Sequence, residues 1–392
     1  MLQAIPLLLL GLVVTACSTT TIKTTDQTPA IQEPEQIPED QLLDVGVGIF
    51  NPGVDAISKE EEGVFPQVRE AEARYMPFKL TETLQKTGNW GVVRVIPDRQ
   101  SEMDLWVDGE ILKSDGETLE LKIKVEDASG KVWYTKNYKE VASKYAYDDL
   151  RNARQDPFQG LYNRIANDMI RFRRQLNPSD ITNIQTITKL KFAQRFAPEA
   201  YSDYLQQDGR GHYKVKRLPA DNDPIMQRVM RIRERDYMFV DTLQDYYGAF
   251  ARQMAGPYRS WRKESYQETV DLRELKQQSR NRIAGGVLAI VAGILGAASD
   301  NAVASTAGVV GIGAGTYMIK SGLDKKEESK IHIEALKELG SSLNAEVQPH
   351  TITLEDRTVT LSGTVDDQYA QWRQILKDIY RTETGQTGPV TN

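Results

Sequence analysis

Few residues in this chain are suited to bond-making chemistry. The 392 residues include one cysteine, Cys17, and three histidines, His212, His332 and His350, which lie far apart in sequence. Nucleophilic catalysis needs a nucleophile beside its base, and transition-metal sites need clustered ligands. The sequence has no phosphate-binding loop, dinucleotide fingerprint or nucleophile elbow. We therefore predict a protein that is not an enzyme and that holds no metal and no cofactor.

Cys17 carries the clearest chemical signal because of what precedes it. Residues 5–14 form an apolar run that is shorter than the about 20 residues needed to span a membrane. The run has the length of a signal-peptide core, and Thr15 and Ala16 supply the small side chains that a signal peptidase requires. A single cysteine directly after such a site is all that a lipid anchor needs.

The sequence Val14-Thr15-Ala16-Cys17 resembles the lipobox of bacterial lipoproteins. The resemblance implies that residues 1–16 are removed as a signal peptide. It also implies that Cys17 becomes the first residue of the mature chain and carries acyl chains such as palmitate. Ser18 is not the aspartate that is associated with inner-membrane retention in these proteins. We therefore expect a lipid-anchored protein on the periplasmic face of the outer membrane.

A cluster of basic residues forms a second candidate site, in a segment rich in glycine and proline. It contains Arg210, His212, Lys214, Lys216 and Arg217. Their charge indicates contact with an anionic lipid or with peptidoglycan, and the alternative interpretation is a solvated loop. Because the whole chain has a formal net charge of −6, we expect no nucleic-acid partner.

The third candidate site is an apolar segment, residues 283–319, interrupted only at residues 299–301. Small residues recur at every fourth position of each half: Gly285, Ala289, Gly293 and Ala297, then Ala307, Gly311 and Gly315. In a helix this spacing places them on one face, where small residues let two backbones approach closely, as in membrane helices. The segment predicts a glycine-zipper helical hairpin over residues 283–322 that associates with the membrane and with other copies.

The two arms of this hairpin are slightly short for a membrane span. Residues 283–298 give about 24 Å of helix and residues 302–319 about 27 Å, against a hydrocarbon core of about 30 Å. A thin outer membrane narrows that difference. Basic residues flank both ends of the segment, which places the two ends on one side of a membrane. The alternative is a hairpin buried in a soluble oligomer or packed against the chain's own helices.

The elements that must position these sites follow from hydrophobic patterning. Residues 17–40 are rich in Thr, Gln, Pro and Glu and predict a flexible, lipidated tether. Residues 41–150 contain five runs of alternating apolar and polar residues and one helical segment, so they predict a small α+β domain with a mixed sheet. Asp115-Gly116 and Ser129-Gly130 are typical of hairpin turns, and Gly88 is typical of a helix end.

Two stretches of this domain carry a family resemblance. The sequences DVGVGIFNPG and DLWVDGEILKSDGETLELKIKVEDASGKVWY, with the helix between them, resemble the α/β domain of curli-secretion and transport-auxiliary lipoproteins. They are also similar to the amino-terminal domain of the Tol propeller protein. The resemblance implies a domain that assembles rings or docks partners in the periplasm. We interpret Trp90, Trp106 and Trp133 as packing residues rather than as an exposed binding surface.

The remaining chain predicts a long helical middle over residues 151–282 and a small α/β module over residues 326–382. In that module the strand TVTLSGTV precedes an amphipathic helix, a pattern that resembles the BON module of envelope proteins and implies phospholipid contact. The polar tail, residues 383–392, is predicted to be disordered.

Taken together, these features predict a non-enzymatic outer-membrane lipoprotein with a structural or assembly role in the cell envelope. We expect membrane lipid to be its partner through Cys17 and the hairpin, homo-oligomers to form, and an envelope protein to be a further candidate partner. The alternative is a periplasmic accessory subunit that binds a transport or secretion partner and uses the hairpin for self-association alone.

Overall fold

A computed structural model shows a mixed α/β chain with a five-stranded sheet near the amino terminus. It describes residues 28–54, 65–97, 99, 102–143, 145–147, 156–296, 333–335, 337–338, 350–353 and 358–385. Within these ranges no helix combines the length and the apolar character that crossing a membrane requires.

The predicted mixed sheet is confirmed. Its strands are β1 (Val45–Gly48), β2 (Val93–Ile96), β3 (Leu105–Ser114), β4 (Thr118–Asp127) and β5 (Val132–Val141). They lie in the order β2-β1-β3-β4-β5, with β1 parallel to β2 and β3 and the other pairs antiparallel. The β4–β5 turn therefore lies at one end of the sheet, here called the Ser129 end, and the β3–β4 turn lies at the other, the Gly116 end.

Helices α1 (Pro66–Thr87) and α2 (Gln159–Arg173) cover one face of this sheet. Alternate residues of β4, namely Leu119, Leu121, Ile123 and Val125, are buried on that face. The opposite face carries charged cross-strand neighbours such as Glu110 and Lys122, whose side chains form an ion pair. The period-two pattern of the sequence thus separates the core face from the polar face.

The local signals of this domain are confirmed as well. Gly88, Gly116 and Gly130 all have positive φ, at 67°, 77° and 84°, because each ends a helix or closes a tight turn. The three strand-associated tryptophans, Trp90, Trp106 and Trp133, are at most 7% exposed, so they pack in the domain as predicted.

Part of the predicted tether is bound to the domain. The side chain of Asn167 on α2 accepts a hydrogen bond from the Ile31 backbone N–H at 2.7 Å and donates one to the Pro29 carbonyl at 2.9 Å. Asn163 donates to the Thr28 carbonyl at 2.8 Å, and Glu33 pairs with Arg174. These side-chain amides form hydrogen bonds with backbone groups that belong to no helix or strand. Residues 28–33 therefore form a strap bound to the domain, whereas their composition predicted a flexible segment.

The middle of the chain is largely helical, as predicted. It contains α2, α3 (Pro178–Phe196), the short α4 (Pro198–Tyr201) and α5 (Pro224–Gly296). Asn177 caps α3 through a reciprocal pair of hydrogen bonds with Asp180. Between α4 and α5, strands β6 (Leu205–Gln207) and β7 (Tyr213–Val215) form an antiparallel hairpin. This hairpin was not predicted, because three-residue strands show too little alternation to be recognised.

The carboxy-terminal part contains the antiparallel strands β8 (His350–Thr353) and β9 (Thr358–Leu361), followed by α6 (Val365–Glu383). The predicted strand and amphipathic helix are present here. Tyr369 and Trp372 of α6 pack against Phe239 of α5. At the start of the predicted module over residues 326–382, residues 333–335 and 337–338 are described, and they are helical.

Candidate functional site

The predicted site residues fall in three parts of the chain. Five lie outside the described residues: Cys17, Ala297, Ala307, Gly311 and Gly315. Three belong to the last turns of α5: Gly285, Ala289 and Gly293. The basic residues Arg210, His212, Lys214, Lys216 and Arg217 belong to the β6–β7 hairpin and the segment after it.

The backbone of α5 runs without interruption into the glycine-repeat segment. The sequence indicated a helical middle ending at residue 282 and a separate apolar arm beginning at residue 283, whereas one 73-residue helix spans both, from Pro224 to Gly296. At 1.5 Å per residue this helix is about 110 Å long. The contacts that hold the first part of this helix on the domain reach as far as Arg273.

A buried ion pair fastens α5 near Arg262. The guanidinium of Arg262 donates to both carboxylate oxygens of Asp156, with nitrogen–oxygen distances of 3.2 Å, and both side chains are at most 7% exposed. The guanidinium also lies over the ring of Tyr258, 4.2 Å from its centroid. Two parallel hydrogen bonds and an aromatic face fix the direction of this arginine.

A second buried carboxylate, Glu72, joins α1 to both β3 and α5. Its Oε1 accepts hydrogen bonds from the Ser114 hydroxyl at 2.5 Å and the Tyr258 hydroxyl at 2.6 Å. Burial raises the pKa of Glu72 above its ordinary value, although Arg69 and the two hydroxyl groups oppose that rise. Tyr258 thereby connects the Glu72 carboxylate to the Arg262–Asp156 pair.

The turn between β3 and β4 lies directly against the same stretch of α5. Thr269 donates to the Asp115 carbonyl at 3.2 Å, and Arg273 forms an ion pair with Glu117. Gly116 itself lies against the helix backbone, and its carbonyl accepts a hydrogen bond from the Tyr147 hydroxyl at 2.5 Å. These contacts hold residues 262–273 of α5 at the Gly116 end of the sheet.

Towards the Ser129 end, α5 protects the edge strand β2. The side-chain amide of Gln244 accepts from the Val95 N–H at 2.8 Å and donates to the Val95 carbonyl at 2.9 Å, as a neighbouring strand would. Asp241 forms a two-point ion pair with Arg94, at 2.6 and 2.9 Å. The edge of the sheet is thus closed by side chains of the long helix, which removes a surface prone to strand pairing.

The carboxy-terminal helix α6 is held on α5 by a second buried ion pair. Arg373 donates to Asp236 at 3.2 Å, and their side chains are 5% and 0% exposed. Burial raises the pKa of Asp236 to about 6, against the lowering effect of Arg373. Asp236 therefore titrates closer to neutral pH than an exposed aspartate does.

We refer to Glu72, Asp156, Tyr258 and Arg262 as the helix clamp. The clamp was missed at the level of sequence, although one signal was present: Arg262 follows the buried Tyr258 and Trp261 on the same apolar stripe. Asp236 likewise lies among buried Ile232, Phe239 and Val240. A charge inside an apolar stripe indicates a buried partner, but spacing alone does not say which residue supplies it.

The described part of the chain has no cluster of three or more His, Cys, Asp or Glu side chains placed to hold a metal ion. His212 and His350 lie in separate elements, the β6–β7 hairpin and β8. The clamp carboxylates are buried and already hydrogen-bonded, so this arrangement can fix the position of a helix but gives a substrate no access.

The basic residues lie on a small hairpin that is docked on the Ser129 end of the sheet. The Tyr213 N–H donates to the Ser129 carbonyl at 2.7 Å. Asp208 closes the turn by accepting from the backbone N–H groups of Arg210 and His212, at 2.8 and 2.9 Å. The hairpin therefore presents its basic side chains from a defined backbone.

Beside this hairpin, a groove of about 410 Å³ lies between residues 220–223 and the first turns of α5. Met226, Met230, Arg231 and Glu234 contribute to its lining.

Comparison with protein-family models, with curated proteins and with solved structures found no match to this chain.

Proposed function

We propose that this protein is a non-enzymatic lipoprotein of the outer membrane, anchored by acyl chains on Cys17, with a structural or assembly role in the cell envelope. Its folded domain holds α5 by the helix clamp, and α5 carries the glycine-repeat segment for membrane association and for assembly with other copies. The observation that carries the proposal is the unbroken helix from Pro224 to Gly296.

Several features of the described residues support this role. Arg262, Glu72 and Gln244 fix α5 to the domain from one end of the sheet to the other. The helix then enters the segment in which Gly285 and Gly293 lie two repeats apart on one face. A rigidly held helix that ends in closely packing small residues is suited to positioning an assembly contact.

The test is cross-linking of the purified lipoprotein in lipid. Gly293→Leu and Gly311→Leu place a large side chain where two backbones are proposed to meet, so both variants should give smaller oligomers than the wild type. Ala284→Leu is the matched control, because it adds the same side chain on the opposite side of the helix, about 180° from Gly293. An oligomer size that is unchanged in both glycine variants would overturn assembly through this face.

A second experiment separates this proposal from the accessory-subunit alternative. Replacing Cys17 with alanine removes the acyl anchor, but it leaves the glycine-repeat segment in place. We expect Cys17→Ala to stay partly associated with membranes and to need detergent for extraction. If the variant is freely soluble, the glycine-repeat segment does not bind lipid, and self-association alone remains as the role of that segment.

A further inference from the structure

The β6–β7 hairpin and the residues after it present an exposed cationic surface with an apolar residue inside it. Arg210, Lys214, Lys216 and Arg217 are exposed, and the next residue, Leu218, is 66% exposed. Among the described residues none of these four cations has an ion-pair partner; Arg217 instead lies over the ring of Tyr204, 4.1 Å from its centroid. Elsewhere on the domain, exposed lysines such as Lys122 and Lys139 are paired with glutamates.

The acidic residues around this surface are fewer than its cations. Asp203, Asp208 and Asp221 are exposed nearby, and Asp223, which accepts a hydrogen bond from the Tyr201 hydroxyl, is half-buried. Asp208 is engaged by the backbone of its own turn, and its carboxylate lies 3.5 Å from Nδ1 of His212. Lys131, which is exposed on the neighbouring β4–β5 turn, adds a further positive charge. The Ser129 end of the domain therefore carries a net positive surface.

The two ends of the sheet differ in this respect. At the Gly116 end, Asp115 and Glu117 form ion pairs with Lys113 and Arg273, so positive charge there is compensated. That end also receives α5 on its way to the glycine-repeat segment. The Ser129 end therefore attracts an anionic surface more strongly than the Gly116 end does.

The strap allows this end to reach a membrane that holds Cys17. Ten residues lie between Cys17 and Thr28, so the eleven Cα–Cα steps from one to the other span at most about 40 Å. Asn163, which holds Thr28, is about 16 Å of helix from Arg174. That carboxyl end of α2 lies near the Ser129 end, because Phe172 stacks on Trp133 with ring centroids 4.6 Å apart. About 24 Å of chain length is then left to bring the β6–β7 hairpin towards the lipid surface.

We propose that the Ser129 end docks on anionic lipid headgroups, with Lys214, Lys216 and Arg217 facing lipid phosphates and Leu218 entering the interface. The proposal identifies anionic lipid as the membrane partner of the domain. It rests on the proposed function, because the lipid anchor on Cys17 is what brings the domain to a membrane. Side chains of this kind combine electrostatic attraction with apolar burial, as interfacial membrane-binding segments do.

The experiment measures co-sedimentation of the full chain carrying Cys17→Ala, so that acyl chains do not mask the contact. Association through the uncharged glycine-repeat segment does not depend on lipid charge, so the contact is measured as the difference in binding between neutral and anionic vesicles. The vesicles contain phosphatidylcholine alone or phosphatidylcholine with phosphatidylglycerol. Lys214→Gln with Lys216→Gln should weaken binding to the anionic vesicles by roughly 25-fold, at about 5-fold for each lysine near the surface. Lys113→Gln with Lys139→Gln is the matched control and should leave binding unchanged.

Equal binding of the two double variants, or binding that ignores lipid charge, would overturn the docking surface. Binding to peptidoglycan sacculi but not to vesicles, with loss of that binding in Lys214→Gln with Lys216→Gln, would overturn lipid as the partner of this surface. Failure of the anchor is recognised separately by the mass of the mature amino terminus. An unmodified Cys17, together with vesicle binding that depends on Lys214 and Lys216, refutes the anchor alone. An acylated Cys17, together with equal vesicle binding of the two double variants, refutes this surface alone.

Discussion

Gly116 and Arg262 are in backbone contact across the interface between the sheet and the long helix. A Cβ atom at Gly116 would overlap the Arg262 carbonyl oxygen and lie 2.6 Å from the backbone nitrogen of Tyr266. The residue also has φ of 77°. This position therefore accepts only glycine for two independent reasons, and one of them reports directly on how closely the β3–β4 turn lies against α5.

Gly116→Ala should accordingly destabilise the domain by more than the strain of left-handed backbone alone, which costs about 1–2 kcal/mol. Gly88→Ala is the matched control, since Gly88 has φ of 67° and nothing within 4 Å of the added methyl group. Chemical denaturation followed by tryptophan fluorescence measures both. Equal losses in the two variants would show that the turn does not press on the helix.

The buried pair between Arg262 and Asp156 should be sensitive to loss of one partner. Asp156→Asn leaves the Arg262 guanidinium buried without its counter-charge, so we expect the free energy of unfolding to fall by about 3–5 kcal/mol. Lys122→Gln, which breaks an exposed pair with Glu110, should cost at most about 1 kcal/mol. The same denaturation measurement compares them.

The double variant Asp156→Leu with Arg262→Met tests the cause. Replacing both charges by apolar groups removes the desolvation penalty, so this variant should be more stable than Asp156→Asn alone. A double variant that is no better than the single one would indicate that geometry, rather than an uncompensated charge, sets the loss.

Asp236 should give the packing of α6 a specific pH dependence. Its folded-state pKa of about 6 lies above the ordinary value of 3.8, so the folded state binds more protons than the unfolded state between those values. The free energy of unfolding contributed by this group therefore falls as pH rises from about 4 to about 6. Asp236→Asn removes that dependence.

Unfolding of the wild type and of Asp236→Asn should be compared at pH 4 and pH 7. The margin is the free energy of unfolding of the wild type minus that of the variant. This margin should be about 1–3 kcal/mol smaller at pH 7 than at pH 4. The comparison with the variant cancels the other buried carboxyl groups, including Glu72 and Asp104, whose pKa values burial also raises. A margin that is the same at both pH values would refute a raised pKa for Asp236.

Sequence patterning predicted the parts of this fold that rest on local physics. Alternation located the strands of the sheet, and Gly88, Gly116 and Gly130 located a helix end and two turns, because only glycine adopts positive φ without steric cost. The helical character of the middle of the chain was predicted, and so was the helix within the carboxy-terminal part.

What the sequence did not predict depends on partners far away in the chain. Glu72 meets Tyr258 across 186 positions, and Asp236 meets Arg373 across 137, so neither pairing follows from spacing. Binding of the strap at residues 28–33 to the domain was not predicted, because its backbone is held by asparagine side chains rather than by apolar burial. The continuity of α5 was hidden by the change from charged to apolar composition near residue 282, which leaves helix geometry unaffected.

The central claim is that this chain is held at a membrane by lipid on Cys17, and the mass of its mature amino terminus tests that claim most directly. Mass spectrometry of protein isolated from membranes should give a chain that begins at Cys17 and carries acyl groups on it. A chain that still begins at Met1, or a Cys17 without lipid, would contradict the account.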